Sequence, residues 1–222
     1  MNFFERLQKE TVAEREALYH VPQIVDGMHG RITRDTYIAY LEQAYHHVKH
    51  TLPLLMAAGS RIPPEKEWLR RSFAEYIAEE VGHEEWILND ITLAGGDAKA
   101  VRISDPSLPV ELMTSYAYDL VMRRNPVGFL GMVFVLEGTS IALATHAAEA
   151  IQTSLHLKKE CFSYLLSHGS LDVKHMQFFE KTVNQITDQS DQQDIIHTAR
   201  IIYHLFAEMF RSIPHEHTKE AA

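Results

Sequence analysis

The chain has 222 residues, a formal net charge of −9 and a single cysteine, Cys161. This length suits one large domain, and no stretch rich in proline, glycine or serine divides it. The negative charge and the lack of basic runs exclude a typical nucleic-acid-binding surface. One cysteine allows neither an internal disulfide nor a cysteine zinc site, and the N-terminal residues lack a signal-peptide core, so we expect a cytoplasmic protein.

Helical periodicity is present in nearly every segment, and no alternating strand pattern occurs. The first predicted helix begins at Phe3. The second covers residues 36–59, is capped by Thr33 or Asp35, and bends near Pro53 because proline removes a backbone donor. The third covers residues 65–94 and ends at Gly95 and Gly96.

The second half of the chain continues the helical pattern after a predicted loop over residues 98–109. Further helices are predicted over residues 110–124, 126–151, 158–169, 171–186 and 191–210. The sequence therefore predicts an all-α, single-domain bundle of about seven to eight helices. We place the domain at residues 1–213 and a flexible tail at residues 214–222.

The longest apolar run, residues 125–151, contains Glu137 as the one charge across about twenty positions. Its length would suffice for a membrane span, but glycines and hydroxyl residues dilute its hydrophobicity, so we predict a helix buried on all sides. Burying an ionised carboxylate costs several kcal/mol unless it is compensated. Glu137 therefore needs hydrogen bonds, an arginine or a metal ion.

The third predicted helix contains the E-x-x-H spacing with which helix bundles build di-iron sites. Glu80 and His83 are three residues apart, and Glu79 and His83 are four apart, so either carboxylate can share a helix face with the imidazole. The same segment also has the composition of a charged solvent face. Gly82, in the predicted helix interior, costs about 1 kcal/mol against alanine, which indicates a close approach of another group to the backbone.

The segment SHGSLDVKH combines two histidines and an aspartate at the spacing H-x3-D-x2-H. Gly169 and Ser170 predict a break between helices, after which Asp172 and His175 share one helix face and His168 can fold back over it. Three carboxylates and three imidazoles are then available: Glu80, His83, Glu137, His168, Asp172 and His175. Such a set can hold two ions of iron or manganese and exceeds what a four-coordinate zinc site needs.

An all-helical chain of this length with E-x-x-H, an isolated glutamate and H-x3-D-x2-H resembles the heme-oxygenase-like di-iron oxidases and oxygenases. These belong to the structural group that includes the TenA-like and PqqC-like proteins. The resemblance implies a non-heme enzyme that uses O2 and two iron ions, one of them replaceable by manganese, to oxidise a small organic substrate. It implies those six residues as ligands, with Glu79 open as the alternative to Glu80, and an external electron donor.

The segment YLEQAYHHV, residues 40–48, resembles the second-helix signature of TenA proteins, but Ala44 replaces the acid that contacts the pyrimidine there. Cys161 does not fit the place of the nucleophilic cysteine of that family, so thiaminase chemistry is not expected. Two other functions stay open: a TenA-like or PqqC-like metal-independent enzyme of thiamine salvage or cofactor metabolism, and a non-catalytic helical binding module. Heme held by a histidine of an early helix would leave the carboxylates of the set without a purpose, and the roles of His20 and His29, in the first connection, stay open.

Four further residues are predicted to line the substrate pocket or to orient the metal ligands: Tyr45, His46, His50 and Glu79. Spare apolar residues on amphipathic helices predict a homodimer. A small-molecule substrate is the expected partner, and neither a nucleic acid nor a membrane is expected.

Overall fold

A computed structural model of the protein describes residues 1–215, with the side chains of residues 170–173 outside the described part. The described chain is all-α and forms one helical domain, which confirms the predicted fold class. Short 3₁₀ segments precede three of the helices. The α-helices are α1 Phe3–Glu10, α2 Val12–Tyr19, α3 Pro22–Met28, α4 Arg34–Val48, α5 Thr51–Arg61, α6 Glu67–Glu80, α7 His83–Ala94, α8 Ala98–Ile103, α9 Leu108–Arg123, α10 Leu130–Leu155, α11 Ser163–Val183 and α12 Gln189–Ser212.

Several helix starts follow from side chains that accept hydrogen bonds from backbone N–H groups of the first turn. Asn2 and Glu5 form a capping box at α1, and the hydroxyl of Thr33 accepts from Thr36 at α4. The predicted second helix is broken at Lys49 and His50, so Pro53 lies in the first turn of α5, where proline is tolerated.

The predicted third helix, residues 65–94, is wrong as a single element, because the chain turns between α6 and α7. Val81 has an extended backbone, and Gly82 has a φ of 88°, in the left-handed region that glycine adopts most readily. A Cβ atom at Gly82 would meet nothing within 4 Å, so the predicted close approach is also wrong. Glu80 and His83 therefore lie on the two sides of a turn and not on one helix face.

The predicted break at Gly169 and Ser170 is also wrong, since α11 continues from Ser163 to Val183. A Cβ atom at Gly169 would lie 2.2 Å from Oγ1 of Thr145 on α10. This glycine therefore permits close contact between two helices and does not mark a turn. A third difference is the predicted loop over residues 98–109, which contains the short helix α8, capped by Asp97.

The apolar helix α10 passes through the middle of the domain and packs against α3, α11 and α12. Within the described residues, Pro126–Leu155 is one stretch long and apolar enough to cross a membrane, but 67% of its apolar window is buried inside the protein. The N-terminal half of α10 is buried as in a core helix, whereas Thr145, His146 and Glu149 in its C-terminal half are exposed. The predicted burial on all sides is therefore confirmed for the first half of the helix and wrong for the second.

Two clusters of buried apolar side chains lie along α10, the first including its N-terminal half and the second its C-terminal half. One involves the ends of the chain and α5, α6 and α9, and the other involves α4, α7 and the start of α11. The predicted tail begins within the described part: Thr36 donates a hydrogen bond to the carbonyl of Pro214, and His215 Nε2 lies 2.6 Å from Oδ2 of Asp26. Residues 216–222 lie outside the described residues, so a tail there stays a prediction.

Two glycines of α10 allow a matched test of helix packing. A Cβ atom at Gly131 would lie 2.3 Å from the carbonyl oxygen of Ile195, whereas one at Gly138 would lie 3.7 Å from Cε of Met176. We expect Gly131→Ala to lower the free energy of unfolding by about 3 kcal/mol, because the backbone of α12 cannot yield easily. Gly138→Ala should raise it by about 0.5–1 kcal/mol. Urea denaturation of both variants measures the difference, and equal effects would contradict the packing described.

Candidate active site

A cavity of about 160 Å³ lies between the two apolar clusters. Its walls come mainly from apolar and aromatic side chains of α3, α4, α10 and α12, including Met28, Tyr40, Leu143 and Phe206. Three side chains of the predicted ligand set also line it: Glu80, Glu137 and His168. An apolar cavity with a few convergent polar groups is the usual form of a small-molecule site.

Glu80 and His83 form the first group at this cavity. Both side chains are buried, and Nδ1 of His83 lies 3.1 Å from Oε2 of Glu80. The pair lacks hydrogen-bond geometry, and Nδ1 has no hydrogen-bond partner within the described residues. Two donor atoms that bind one metal ion at about 2.1 Å and at a right angle are about 3 Å apart, so this separation suits a shared ion.

Aromatic rings fix the imidazoles of His83 and His168. The ring of Trp86 stacks on His83 at a centroid distance of 4.1 Å, and the ring of His168 stands edge-on to His83 at 4.8 Å. The ring of Tyr164 also contacts His168, at a centroid distance of 4.8 Å. The turn at Gly82 thus brings α7 and α11 together at one end of the cavity.

His175 forms the second group, with one carboxylate on each side of its ring. Nε2 lies 2.9 Å from Oε2 of Glu79, and Nδ1 lies 3.8 Å from Oε1 of Glu137. Glu137 and His175 are buried, whereas the side chain of Glu79 is 55% exposed. Glu79 therefore approaches His175 from the solvent side, and Glu137 approaches from the cavity side.

The structure brings five of the six predicted ligands to one end of the cavity, in two groups. The side chain of the sixth, Asp172, lies outside the described part. In the sequence, Asp172 follows His168 by four residues and precedes His175 by three, which is the spacing of residues on one helix face. Among the described residues, no three His, Cys, Asp or Glu side chains form a ready metal-binding group. Carboxylate oxygens with imidazole nitrogens are nevertheless the donor types that suit iron and manganese.

The structure places Tyr45, His46 and His50 outside the described lining of this cavity. Lys49 Nζ lies 3.1 Å from Nδ1 of His46, and Nε2 of His46 lies 3.0 Å from the hydroxyl of Ser104. Because an ammonium group only donates, Nδ1 accepts and Nε2 donates. His50 contacts the Tyr118 hydroxyl at 3.1 Å. These residues connect α4 to its neighbours.

The residue of this segment that reaches the cavity is His47, next to the predicted His46. Its side chain is 3% exposed. The four-residue spacing of His46 and His50 predicts that these two share a helix face. The signal for His47 is the apolar residue Ala44, three positions earlier on the same face of α4, which is fully buried. Neither Cys161 nor the exposed early histidines His20 and His29 line the cavity.

An apolar cavity with buried acids and imidazoles in an all-α domain is the setting in which helical proteins commonly place metal and cofactor sites. A family model described as "iron-containing redox enzyme" matches residues 38–207, and the chain belongs to this family. This range contains all six predicted ligands.

Solved structures support the heme-oxygenase-like fold. A domain of unknown function with this fold from Shewanella denitrificans is 24% identical, with a TM-score of 0.83, covering 96% of this chain and 92% of that chain. A TenA homolog from Pseudomonas syringae is 8% identical, with a TM-score of 0.77 and coverages of 94% and 91%. Heme oxygenase-1 from Synechocystis, in complex with heme, is 10% identical, with a TM-score of 0.75 and coverages of 95% and 91%. The comparison with curated proteins gives no match.

The buried environment of His46 predicts that the protein becomes less stable at acidic pH. Burial, and next the Lys49 ammonium, lower the pKa of His46 from 6.5 to about 4. Between these values the unfolded chain binds a proton that the folded chain does not, so the free energy of unfolding falls as the pH falls. We expect the contribution of His46 to decrease by about 2–3 kcal/mol between pH 7 and pH 4.5.

Urea denaturation at these two pH values checks this prediction in the variant His46→Gln. The variant should lose less stability on acidification than the wild-type protein, because glutamine does not titrate. The substitution His204→Gln, at an exposed position of α12, is the control. If the free energy of unfolding decreases equally in His46→Gln and in the wild-type protein, protonation of His46 does not cause the loss of stability.

Proposed function

We propose that this protein is a non-heme di-iron oxidase or oxygenase that acts on a small, mainly apolar organic molecule. The observation that carries the proposal is the presence of two buried carboxylates, Glu80 and Glu137, with His83 and His175 beside them and His168 at the same end of one apolar cavity. Membership in a family of iron-containing redox enzymes supports it. Burial of these acids is favourable when a cation compensates them.

The proposed iron ligands are Glu80, His83, Glu137, His168, Asp172 and His175. The described donors fit iron by type and by burial, and the 3.1 Å separation of His83 Nδ1 and Glu80 Oε2 fits two ligands of one ion. Because the described residues contain no ready three-residue group, metal binding would be coupled to a rearrangement of these side chains. Manganese could replace one iron.

Glu79 has a different proposed role. A metal-binding histidine usually donates its other ring N–H to a carboxylate, which fixes the ring orientation. Glu79 is in place to accept from Nε2 of His175, which would leave Nδ1 directed toward Glu137. We therefore assign Glu80 as a ligand and Glu79 as the residue that orients His175.

Bound iron would supply the reaction with O2 and the oxidation of the substrate. The chain's own residues would hold the substrate next to the ligand groups, and the apolar wall would exclude water from it. Electrons would come from an external donor. We also propose a homodimer in the cytoplasm, since the chain has one cysteine and several exposed apolar residues on amphipathic helices.

The alternatives have less support from the residues of the cavity. A TenA-like hydrolytic route would need an acid at the position of Ala44 and a nucleophile at the cavity, whereas Cys161 lies outside its lining. Of the early histidines, His20 and His29 are exposed, and each donates a hydrogen bond from Nδ1 to a backbone carbonyl four residues before it, so neither is placed to hold heme in the cavity. A purely structural module would not need several acids and imidazoles at one cavity.

Metal analysis tests the proposal. Protein purified from iron-supplied cells should contain about two iron ions per chain by mass spectrometry. The variant His83→Ala should retain less than half of this iron, because it removes a buried ligand. The variant His204→Ala, at an exposed position, should retain the wild-type content. Less than one ion per chain in wild type, with no change in His83→Ala, would contradict the proposal.

The roles of the adjacent acids Glu79 and Glu80 can be separated. We expect Glu80→Gln to lose iron stoichiometry, because a neutral amide is a poor ligand for it. Glu79→Gln should keep the stoichiometry and weaken iron affinity about 10- to 100-fold, as the loss of a residue that orients a ligand does. Competition with a chelator measures both affinities. The opposite ranking would make Glu79 the ligand.

A further inference from the structure

Three polar atoms in the cavity wall have no hydrogen-bond partner within the described residues. They are Nδ1 of His47, Oγ1 of Thr139 and Oγ of Ser140. None belongs to the proposed iron ligands, and His47 and Thr139 are only 3% and 6% exposed. A buried polar group without a partner lowers stability, so these atoms favour the binding of a molecule that can hydrogen-bond to them.

His47 is the most completely enclosed of the three. It projects from α4, and its ring stands edge-on to Phe206 of α12 at a centroid distance of 5.7 Å. Burial lowers the pKa of His47 to about 3, with smaller contributions from His168, His50 and His46. The ring is therefore neutral at pH 7 and offers one donor and one acceptor nitrogen.

The rest of the cavity limits which molecules can enter. Its described lining contains no lysine or arginine, and its charged residues are the carboxylates Glu80 and Glu137. An anionic group bound away from these acids would meet no compensating cation in the described wall, and burying it would be unfavourable. An uncharged polar group on an apolar body avoids this cost.

We infer that His47 binds an uncharged hydroxyl or carbonyl group of the substrate and thereby selects an apolar molecule that carries such a group. This inference deepens the proposed function, on which it rests, by naming the substrate class. His47 is then a specificity-determining residue that positions the substrate with respect to the ligand groups. A site that hydrogen-bonds a substrate group discriminates strongly against analogues that lack the group.

Calorimetric titration of the purified full chain with benzyl alcohol and toluene tests the inference, because the two probes differ by one hydroxyl. The measured quantity is the ratio of the toluene to the benzyl alcohol dissociation constant. In His47→Phe we expect this ratio to fall about tenfold, since the hydrogen bond is lost and toluene gains an apolar contact. In His47→Gln, which keeps a donor and an acceptor, the ratio should fall less than about threefold. The control His146→Phe, at an exposed position of α10, should leave it unchanged.

Iron content measured on the same samples separates this inference from the proposed function. Wild-type iron content in both His47 variants, together with the expected ratios, supports the inference. The inference is overturned if the ratio is unchanged in His47→Phe or if neither probe binds the wild-type protein. Iron loss in both variants also overturns it, because His47 would then be an iron ligand. If wild type contains no iron but the ratios change as expected, the proposed function fails and the role of His47 in binding stands. If His47→Phe does not fold, His47→Leu, which also removes both ring nitrogens, takes its place, and an unchanged ratio in that variant overturns the inference.

Discussion

The arrangement of this domain depends on how it compensates carboxylates in its interior. Three buried aspartates are satisfied by donors: Asp26 by Arg31 and His215, Asp90 by Ser163 and Tyr164, and Asp191 by Lys66 and Asn125. These acids hold elements together, as buried hydrogen-bonded acids commonly do. Glu80 and Glu137 differ because they face a cavity and have imidazoles beside them. Under the proposed function, a cation bound at this end of the cavity would offset the free energy of burying them.

Close helix contacts bring these acids and imidazoles to one place. Gly131 lets α10 touch the backbone of α12, and Gly169 lets α11 touch α10 at Thr145. The turn at Gly82 then directs His83 toward His168. Because the helices are closely packed, these contacts determine where the side chains at the cavity lie. The orientation of the proposed metal ligands therefore depends also on residues that do not contact them.

The sequence predicted the helical class, the burial of the first half of α10 and the last helix, because periodicity and a lone charge in an apolar run are local signals. The metal ligands stay a prediction. Two glycines were misassigned in opposite ways. Gly82 was predicted to permit a close approach but forms a left-handed turn, and Gly169 was predicted to form a turn but permits a close approach. The deciding atom for Gly169 belongs to Thr145, far away in the chain, so local sequence cannot distinguish the two uses. Local sequence likewise cannot distinguish His46 from His47: both are buried, and the packing of α4 decides that His47 lines the cavity while His46 contacts Ser104.

The proposed metal ligands and the rest of the cavity wall come from different helices. The proposed ligands come from α6, α7, α10 and α11, whereas α3, α4 and α12 contribute cavity wall without ligands. The capacity of iron to react with O2 does not select a substrate; shape and a few hydrogen bonds do. Changes on α3, α4 and α12 can therefore alter which molecule is bound while the ligands stay in place. His47 lies on this side of the cavity, on α4, and contacts Phe206 of α12. Because a hydrogen bond is electrostatically stronger in an apolar wall than in water, the inferred bond from His47 would influence the choice of substrate without changing the ligands.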